Sequence, residues 1–377
     1  MTQLRVILEQ LVSPVPGGIG RYTAELTRAL IATAPPGADV IGFVPSSHPD
    51  LYADVERRLP GLARLDKSVL DRRMLAEAWR HGFVERSARG MVHAMSLMAP
   101  LVRHDRVHDP GTQIVVTIHD AIPWTHPETL TRRGVAWHRA MARRAERHAD
   151  AVIVPTHAVA EDLRRYLDLG DRIRVVGGAL GTELKLPDDP VARADELKLP
   201  QRFVLSVGTL EPRKGLGPLI QAMRELPAEI ELVIVGPEGW GGIRIEDLAR
   251  EAGVSGRVHA LGRLDDSDLA VALGAAEVVA VPSLAEGFGL PLLEAFAFGA
   301  PVVHSDAAAL VEVAGGAGYI VAREDAAGYP RRLGEAIGEV LADASLAERL
   351  RVLGADRAHA FSWRDSAEKV WQLHADL

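Results

Sequence analysis

The sequence contains no cysteine, which excludes disulfides, thiolate catalysis and cysteine-ligated zinc. It has no apolar run near the ~18–20 residues that span a membrane, and its first residues lack the basic and apolar regions of a signal peptide. We therefore expect a cytoplasmic protein. Lysine is also scarce, with 5 residues against 38 arginines. We interpret this bias as genomic base composition rather than chemistry.

Several familiar catalytic signatures are missing as well. The 14 histidines show no H-E-x-x-H spacing. Acidic pairs at 188–189 and 265–268 are typical of a loop and a helix N-cap rather than of a metal site. The patterns G-x-S-x-G, G-x4-G-K-[ST] and G-x-G-x-x-G are absent too, which disfavours a serine hydrolase, a P-loop protein and an NAD enzyme. We expect neither a metal nor a cofactor.

The chain of 377 residues is longer than the ~250–300 at which a single core stops growing, so two domains are expected. Short β-branched runs alternate with helical stretches twice, which predicts two parallel α/β domains. The first series lies at 6–9, 40–44, 114–118 and 151–154, and the second at 203–207, 232–235, 258–261, 278–281, 301–304 and 319–321. Turn formers between the series predict a linker at 181–200. We expect Rossmann-like domains at 1–180 and 201–355, and a final helix at 356–377 that returns to the first domain.

Charge is distributed unevenly between the halves. Residues 1–180 hold 24 basic and 20 acidic side chains, whereas the remainder holds 19 and 31. A predicted helix at 132–149 concentrates six arginines: Arg132, Arg133, Arg139, Arg143, Arg144 and Arg147. A solvated amphipathic helix explains them best, and a patch for an anionic membrane face or a lipid diphosphate is the alternative. The net acidity argues against nucleic acid as a partner.

The segment 278–303, VVAVPSLAEGFGLPLLEAFAFGAPVV, is the most informative part of the chain. It predicts a buried strand, a turn with Gly287 and Gly289, and a helix that has Pro291 in its first turn. The free amides and dipole of such a helix suit phosphate, while Glu286 in the turn and Glu294 in the first helical turn can accept hydrogen bonds from sugar hydroxyls. Either glutamate alone would be read as a solvated charge or a dipole partner. Together they indicate a nucleotide-sugar site.

Other candidate groups also follow predicted strands. Adjacent Arg213 and Lys214 come after strand 203–207 and can neutralise a diphosphate, although an exposed basic turn is the plain alternative. His119 and Asp120 follow strand 114–118 directly. A glycine loop ahead of a helix, with Gly17, Gly18 and Gly20, would let the backbone approach a diphosphate or sugar. Ligands of open parallel sheets bind at such strand ends, so we expect these groups to line the site.

Glu286 and Glu294, with GFGLPLLEAFAFGAPVV, resemble the E-x7-E signature of retaining glycosyltransferases of family 4. The resemblance extends through GGIGRY at 17–22, TIHDAIP at 117–123, VPTHAVAEDL at 154–163, SVGTLEPRKGL at 206–216 and FSW at 361–363. It is similar above all to the mannosyltransferase-like branch that builds bacterial surface polysaccharides and glycolipids. The family implies the GT-B fold, in which two Rossmann-like domains with doubly wound parallel sheets face each other across a cleft.

The resemblance also implies roles for individual residues. His119 would lie at the donor sugar with Asp120 as its orienting partner, and Leu264 would lie along the nucleobase. The donor would further contact the glycines of both turns, named above, together with Phe288 and Leu290. Many relatives carry an arginine after the glycine that matches Gly208, whereas this chain has Thr209, so Arg213 and Lys214 would take more of the phosphate charge.

These parts predict transfer of a hexose from a nucleotide-sugar to a glycan or lipid-linked acceptor. Arg213, Lys214 and the helix at Pro291 would stabilise the leaving diphosphate, while Glu286 and His119 hold the sugar during attack on the same face. GDP-mannose is the favoured donor, with UDP- or dTDP-sugars as the alternative. A sugar-nucleotide epimerase and a non-catalytic binding module remain as lesser alternatives. Peripheral contact with the inner membrane face is a further expectation.

Overall fold

The computed structural model describes residues 2–84, 90–105, 108 and 111–377. The chain divides into two compact units. Unit 1 comprises Met1–Pro127, Thr131–Gly178 and Ser362–Leu377, and unit 2 comprises Glu128–Leu130 and Ala179–Phe361. The segment 181–200, expected as a linker, thus falls within unit 2. Residues 356–361, expected to belong to the returning helix, also fall within unit 2, while the end of the chain belongs to unit 1.

Unit 1 is built on a parallel sheet that has seven strands in the described part of the chain. They are β1 Thr2–Ile7, β2 Ala38–Ser46, β3 Arg64–Asp71, β4 Met91–Ala94, β5 Gln113–Thr117, β6 Ala151–Val154 and β7 Ile173–Val175. Their spatial order is β3-β2-β1-β4-β5-β6-β7. This is a doubly wound order: β2 and β3 are added on one side of β1, and the later strands are added on the other side, beginning with β4. Strands β3, β4 and β7 were not predicted, because β3 is a charged edge strand, β4 has a single β-branched residue, and β7 is interrupted by Arg174.

The helices of unit 1 cover the sheet. They are α1 Gly17–Ala32, α2 Pro49–Arg58, α3 Arg72–Arg80, α4 Ile122–Thr125, α5 Arg132–His148, α6 His157–Arg164 and, at the end of the chain, α15 Trp363–Asp376. Within unit 1, α15 packs against α1 through buried Val370 and Trp371, and the indole of Trp371 donates to the Leu30 carbonyl at 3.2 Å. No helix within the described ranges is both long and apolar enough to cross a membrane.

Unit 2 repeats the same architecture with a sheet of six strands among its described residues. They are β8 Phe203–Val207, β9 Glu231–Val235, β10 Val258–Gly262, β11 Val278–Val281, β12 Val302–Ser305 and β13 Tyr319–Val321. Their order, β10-β9-β8-β11-β12-β13, again reverses beside the first strand, here between β8 and β11. The prediction of two Rossmann-like parallel-sheet domains is therefore confirmed. Helices α7 Pro190–Glu196, α8 Leu216–Ala222, α9 Ile245–Glu251, α10 Asp266–Ala275, α11 Leu290–Ala297, α12 Ala308–Ala314, α13 Tyr329–Ala342 and α14 Ala344–Ala358 complete this unit.

The apolar side chains of the central strands are buried on both faces of the sheet. In β8, Val204 points into one cluster of unit 2, whereas Phe203 and Leu205 point into the other. A parallel sheet with helices on both faces requires such strands, because neither face meets water. This is why β11 is a continuous apolar run in the sequence and β8 is a run interrupted only by Ser206, and the predicted bounds of both agree with the structure.

The expected linker is folded against unit 2. Helix α7 begins after Asp189, whose carboxylate accepts from the Ala192 amide at 3.0 Å. From this helix, Arg193 forms a two-pronged ion pair with Asp268 of α10, at 2.6 and 2.9 Å. A planar guanidinium that meets both oxygens of a carboxylate fixes orientation as well as distance. Turn-forming composition could not reveal this contact, which joins residues 75 positions apart.

Candidate active site

In unit 2, the turn that follows β8 lies against the turn that follows β11. Gly215 ends the basic turn with φ of +67°, and a Cβ at this position would lie 2.2 Å from the Pro282 carbonyl oxygen. Only glycine fits this close approach and left-handed backbone. The Leu284 amide also donates to the Arg213 carbonyl at 2.7 Å. The backbones of the two turns are therefore joined. They lie at the carboxyl ends of β8 and β11, the two strands between which the strand order reverses.

Three predicted site residues meet at this junction. Lys214 Nζ donates to Glu286 Oε1 at 2.5 Å, and an Arg213 terminal nitrogen lies 3.2 Å from Glu286 Oε2. The Ser283 hydroxyl also donates to Glu286 Oε1, at 2.7 Å. Arg213 is held on its other side by Glu211, 2.9 Å from its Nε. We refer to Arg213, Lys214 and Glu286 as the switch-edge cluster.

The switch-edge cluster is electrostatically coupled. Burial raises the pKa of Glu286, but the Lys214 and Arg213 charges outweigh burial and hold the pKa at about 2. For Lys214, burial lowers the pKa, the Glu286 carboxylate opposes this, and the neighbouring Arg213 adds to it. Because two cations face this carboxylate, Glu286 is ionised at neutral pH. The cluster therefore keeps two half-buried cationic side chains next to each other, with one carboxylate between them.

The helix predicted after Glu286 is present, with one difference. Gly289 precedes α11 with φ of +98°, and a Cβ there would lie 2.4 Å from Leu310 Cδ2. Pro291 lies in the first turn, as predicted, and no side chain caps the N-terminus. Glu294 is the fifth residue of α11 and is 3% exposed, so the expectation that it lies in the first turn was wrong. Its carboxylate belongs to the second turn, because the helix begins only at Leu290.

The remaining residues predicted for unit 2 differ in their surroundings. The Phe288 ring packs edge-on against Phe361 at 5.6 Å and belongs to the apolar core. Leu264 and Leu290 are partly buried against the same core. Gly287 lies in the turn between Glu286 and α11. The predicted charged residues of unit 2 therefore form ion pairs or hydrogen bonds, whereas the predicted apolar residues pack against the core.

In unit 1, the predicted glycines lie inside a helix. Helix α1 starts at Gly17, so Gly17, Gly18 and Gly20 form its first turn, and the expectation of a loop ahead of the helix was wrong. Gly17 and Gly18 are exposed, whereas Gly20 is buried. The Gly20 amide donates to the Pro16 carbonyl at 2.8 Å. Glycine has a low helix propensity, so the sequence does not favour a helix start at Gly17. The hydrogen bond from Gly20 to Pro16 stabilises this first turn.

His119 lies where predicted, just beyond β5, and is half-buried. Its Nε2 is 2.7 Å from the Met95 carbonyl oxygen. A carbonyl only accepts, so Nε2 carries the proton and Nδ1 of the neutral ring is left as an acceptor. Burial lowers the pKa of His119, although the Met95 carbonyl and the Asp120 charge oppose this.

Asp120 does not orient the imidazole through a hydrogen bond. Its carboxylate accepts from the Ile122 amide at 3.0 Å and so starts α4. The orienting partner of His119 is the Met95 carbonyl, and the expected role of Asp120 was wrong in this respect. A backbone carbonyl 24 positions away leaves no mark in a side-chain pattern.

Sequence reasoning missed an aromatic pair beside His119 and a buried acidic residue of unit 1. The Tyr22 ring packs edge-on against His119 at 4.9 Å, and Trp363 packs against Tyr22 at 5.5 Å. Glu9, which is fully buried, lies in the turn after β1. A carboxylate directly after the apolar run 6–8 was the available signal for Glu9. Among the described residues, no group of three or more His, Asp or Glu side chains is arranged to hold a metal ion.

Both halves of the chain match models of known protein families. The family model for Glycosyltransferase Family 4 matches residues 16–183, and that for Glycosyl transferases group 1 matches residues 189–355. The O-antigen chain mannosyltransferase B of Escherichia coli is 28% identical, with 92% of this chain and 93% of that protein aligned. The MMP alpha-(1->4)-mannosyltransferase of Mycolicibacterium hassiacum is 29% identical, over 94% and 93% of the two chains.

A solved structure shares the fold. The Anabaena protein HepE, solved in complex with UDP and glucose, superposes with a TM-score of 0.76 at 17% identity, over 100% of both chains. At this identity the likeness concerns the fold alone. One family model covers most of unit 1 and the other most of unit 2, and each contains the predicted site residues of its unit. The chain therefore belongs to glycosyltransferase family 4 and is a hexosyltransferase with the GT-B fold.

Proposed function

We propose that this enzyme moves mannose from GDP-mannose, with retention of configuration, onto a glycan or lipid-linked acceptor of bacterial surface polysaccharide or glycolipid synthesis. The observation that carries the proposal is the switch-edge cluster of Arg213, Lys214 and Glu286. Mannose as the sugar rests on the two relatives that are named mannosyltransferases. The acceptor class rests on the first of them, whose name refers to the O-antigen chain.

The cluster suits a diphosphate leaving group. A lysine ammonium has three N–H donors, and Glu286 takes one from Lys214, so others remain for phosphate oxygens. Arg213 lies beside it and adds a second fixed positive charge. The uncapped N-terminus of α11 contributes amides and the positive end of the helix dipole. These charges stabilise the transition state because they lie where negative charge develops.

The transfer itself needs no strong base. The bond between the anomeric carbon and the diphosphate oxygen breaks, and its electron pair leaves with the diphosphate. The acceptor hydroxyl forms the new bond on the same face and passes its proton to a leaving phosphate oxygen. His119 holds the sugar through its free Nδ1, and Glu286 accepts a sugar hydroxyl while keeping the two cations in place. Glu294 binds the ribose, and Leu264 lies along the base.

A UDP- or dTDP-sugar is the alternative donor. This alternative is favoured by the Anabaena structure, which contains UDP and glucose in the same fold. Both donors carry the same diphosphate, so the switch-edge cluster does not discriminate between them. A panel of GDP-, UDP- and dTDP-sugars separates the two, with released nucleoside diphosphate as the readout.

The proposal is tested by turnover with GDP-mannose and a lipid-linked acceptor, followed by NMR of the new anomeric proton. We expect release of GDP and a product with the anomeric configuration of the donor. Isomerised sugar without release of diphosphate would indicate an epimerase, and binding without any reaction would indicate a non-catalytic module. An inverted product would overturn retention while leaving the transferase intact.

We further propose that turnover needs no divalent metal, because Arg213 and Lys214 provide the charge that a metal would otherwise supply to the diphosphate. EDTA should then leave the rate nearly unchanged. Loss of activity that Mg²⁺ or Mn²⁺ restores would contradict this. The matched control is EDTA already saturated with Ca²⁺, which keeps the chelator and ionic strength constant.

The enzyme is proposed to act in the cytoplasm and to contact the inner membrane face through α5. Arg132, Arg133, Arg143 and Arg147 of this helix are exposed. Arg139 and Arg144 instead donate to the carbonyls of Pro123 and Leu101, respectively. Binding to vesicles with anionic lipid should therefore fall steeply with salt, and glutamine replacements at the four exposed arginines should abolish it. Absent or salt-independent binding would leave α5 as a solvated helix.

A further inference from the structure

Glu9 and Ser96 join the two strands at the reversal point of the sheet in unit 1. Glu9 follows β1, Ser96 follows β4, and these strands are neighbours in the sheet. The Ser96 hydroxyl donates to Glu9 Oε1 at 2.5 Å. Ser96 Oγ in turn accepts from the Met98 amide at 3.0 Å. Glu9 is therefore bonded to a serine that closes the short turn 95–98.

The same turn provides the hydrogen bond that orients His119. The residue before Ser96 is Met95, whose carbonyl accepts from His119 Nε2 at 2.7 Å. The direction of this carbonyl is determined by the peptide plane between Met95 and Ser96. A bond that holds the Ser96 side chain thus also limits the rotation of that plane. On its other side the imidazole meets the edge of the Tyr22 ring.

We propose that Glu9 is a positioning residue for His119, acting through Ser96 and the Met95 carbonyl to fix the tautomer and ring orientation of the imidazole. Glu9 is fully buried, so it touches no substrate and is not itself catalytic. The inference rests on the proposed function in one respect, that His119 contacts the donor sugar.

The environment of Glu9 determines which substitutions are informative. Burial raises the pKa of this carboxyl, while Ser96, the Arg72 charge and Gln10 oppose the shift. Its second oxygen is buried and has no hydrogen-bond partner among the described residues. Glutamine keeps the size of the side chain and an oxygen that can accept from the Ser96 hydroxyl. Leucine has a similar size but cannot accept that bond.

The test compares Glu9→Gln, Glu9→Leu and Ser96→Ala by NMR of the His119 ring nitrogens, assigned with His119→Gln. In the native enzyme and in Glu9→Gln we expect the Nε2–H tautomer and a pKa below the usual 6.5. In Glu9→Leu and Ser96→Ala we expect a tautomer mixture and a pKa that falls further below 6.5, because the buried ring loses the Met95 carbonyl, whose hydrogen bond favours the protonated form. An unchanged His119 spectrum in both variants would overturn the inference.

A matched control separates positioning from general loss of stability. Asp150 is also buried in unit 1, but it lies at the amino ends of β5 and β6, whereas Glu9 lies at the carboxyl ends of the strands. Its carboxylate accepts from the Ile114 amide at 2.7 Å. Asp150→Leu should lower the melting temperature without changing the His119 spectrum. A His119 change of equal size in this control would contradict a specific role for Glu9.

Turnover gives the second readout. Glu9→Leu should lower kcat on the order of 10- to 100-fold with little change in donor KM, because a misplaced ring affects the transition state more than binding. Glu9→Gln should restore most of the rate. Equal losses in the glutamine and leucine variants would show that the charge of Glu9, not its hydrogen bond, is required. Spectra as expected with no transfer from any donor would reject the proposed function but leave the positioning role intact.

Discussion

The charged residues of the site in unit 2 form ion pairs with one another. Glu286 was predicted to hold the donor sugar, yet in the structure it is bonded to Lys214, Arg213 and Ser283. A buried carboxylate between two cations costs solvation, which good geometry and extra hydrogen bonds offset. In return, the two cations are held in place before a substrate arrives. Preorganised charge of this kind is the arrangement that stabilises a developing anion.

The charge of Lys214 should matter mainly for the rate. Lys214→Ala removes one charge-assisted hydrogen bond from the leaving diphosphate, a loss of ~1.5–3 kcal/mol that lowers kcat roughly 10- to 150-fold. Donor affinity should fall as well. Lys185→Ala, which removes an exposed lysine of the same unit, is the control and should have native kinetics. A change confined to KM would show that Lys214 binds ground and transition states equally.

Because the pKa of Glu286 is low, the free energy of unfolding should decrease in acid. The folded pKa of about 2 lies below the usual 4.5, so this group stabilises the fold above pH ~4.5. That contribution is lost as the pH falls from ~4.5 through ~2, and a shift of this size corresponds to roughly 3 kcal/mol. Urea unfolding of the native enzyme and of Glu286→Gln measures it.

The expected result is a weaker pH dependence in the Glu286→Gln enzyme across this range, by about one proton. Glu277→Gln is a suitable control, since it removes the carboxylate of another ion pair in unit 2, with Arg202 at 2.6 Å. Identical pH slopes for the native enzyme and Glu286→Gln would contradict the assignment.

At the level of helices and strands, apolar runs and turn chemistry were enough to predict much of the fold. The strands at 203–207, 278–281 and 319–321 have the predicted bounds, because they are short β-branched runs bounded by turns. The start of α1 was misplaced, because glycines have low helix propensity and the bond from Gly20 to Pro16 could not be anticipated. Likewise, the cations after β8 were predicted from their type, but their pairing with Glu286 depends on which strands are neighbours.

The last helix is held by a buried pair of histidines. His374 of α15 lies 3.3 Å from His93 of β4, and its other nitrogen lies 3.0 Å from the Gln113 side chain. Burial lowers the pKa of His374 to about 4 and that of His93 well below its usual 6.5. Both rings are neutral in the folded protein, because a proton on either would place an uncompensated charge in the core.

This pair should make unit 1 sensitive to mild acid. The depressed pKa of His374 means that stability is fully present above pH ~6.5 and is lost as the pH falls toward ~4, by roughly 3 kcal/mol for His374 alone. Denaturant midpoints measured from pH 7.5 to 4.5 report the loss. His374→Gln should flatten this dependence, while His359→Gln, at an exposed position just after α14, should not. Equal slopes in all three proteins would refute the role of the pair.

Across the whole molecule, both units place their chemistry at the same topological position. In unit 1 the bond from Ser96 to Glu9 links the turns after β4 and β1, and in unit 2 the bond from Lys214 to Glu286 links the turns after β8 and β11. In each sheet these are the strands between which the order reverses. The connections that follow such neighbouring strands pass to opposite faces of the sheet and leave a crevice, which is why doubly wound sheets bind ligands at this point. Composition and spacing predicted the residues of unit 2 but not the equivalent pair of unit 1.

The chain path makes unit 1 depend on the final residues. Unit 1 consists of the first part of the chain and Ser362–Leu377, so it is complete only after unit 2 has been made. Trp363, Val370, Trp371 and Leu373 of α15 are each less than 9% exposed. Burying such a side chain contributes ~1.5–3 kcal/mol, so together they approach the ~5–15 kcal/mol by which a domain is stable.

Truncation after Phe361 should therefore unfold unit 1 while unit 2 remains folded, because α15 packs within unit 1. Amide hydrogen exchange followed by mass spectrometry distinguishes the two units, with loss of protection expected in β1, β4 and β5 but not in β8 and β11. Point variants give a milder test. Val370→Asp buries a charge where α15 packs within unit 1, so it should also reduce the protection of unit 1. Lys369→Asp introduces the same charge at the exposed neighbouring residue and should not reduce it. Uniform loss of protection in both units, or none in unit 1, would contradict the dependence of unit 1 on its last helix.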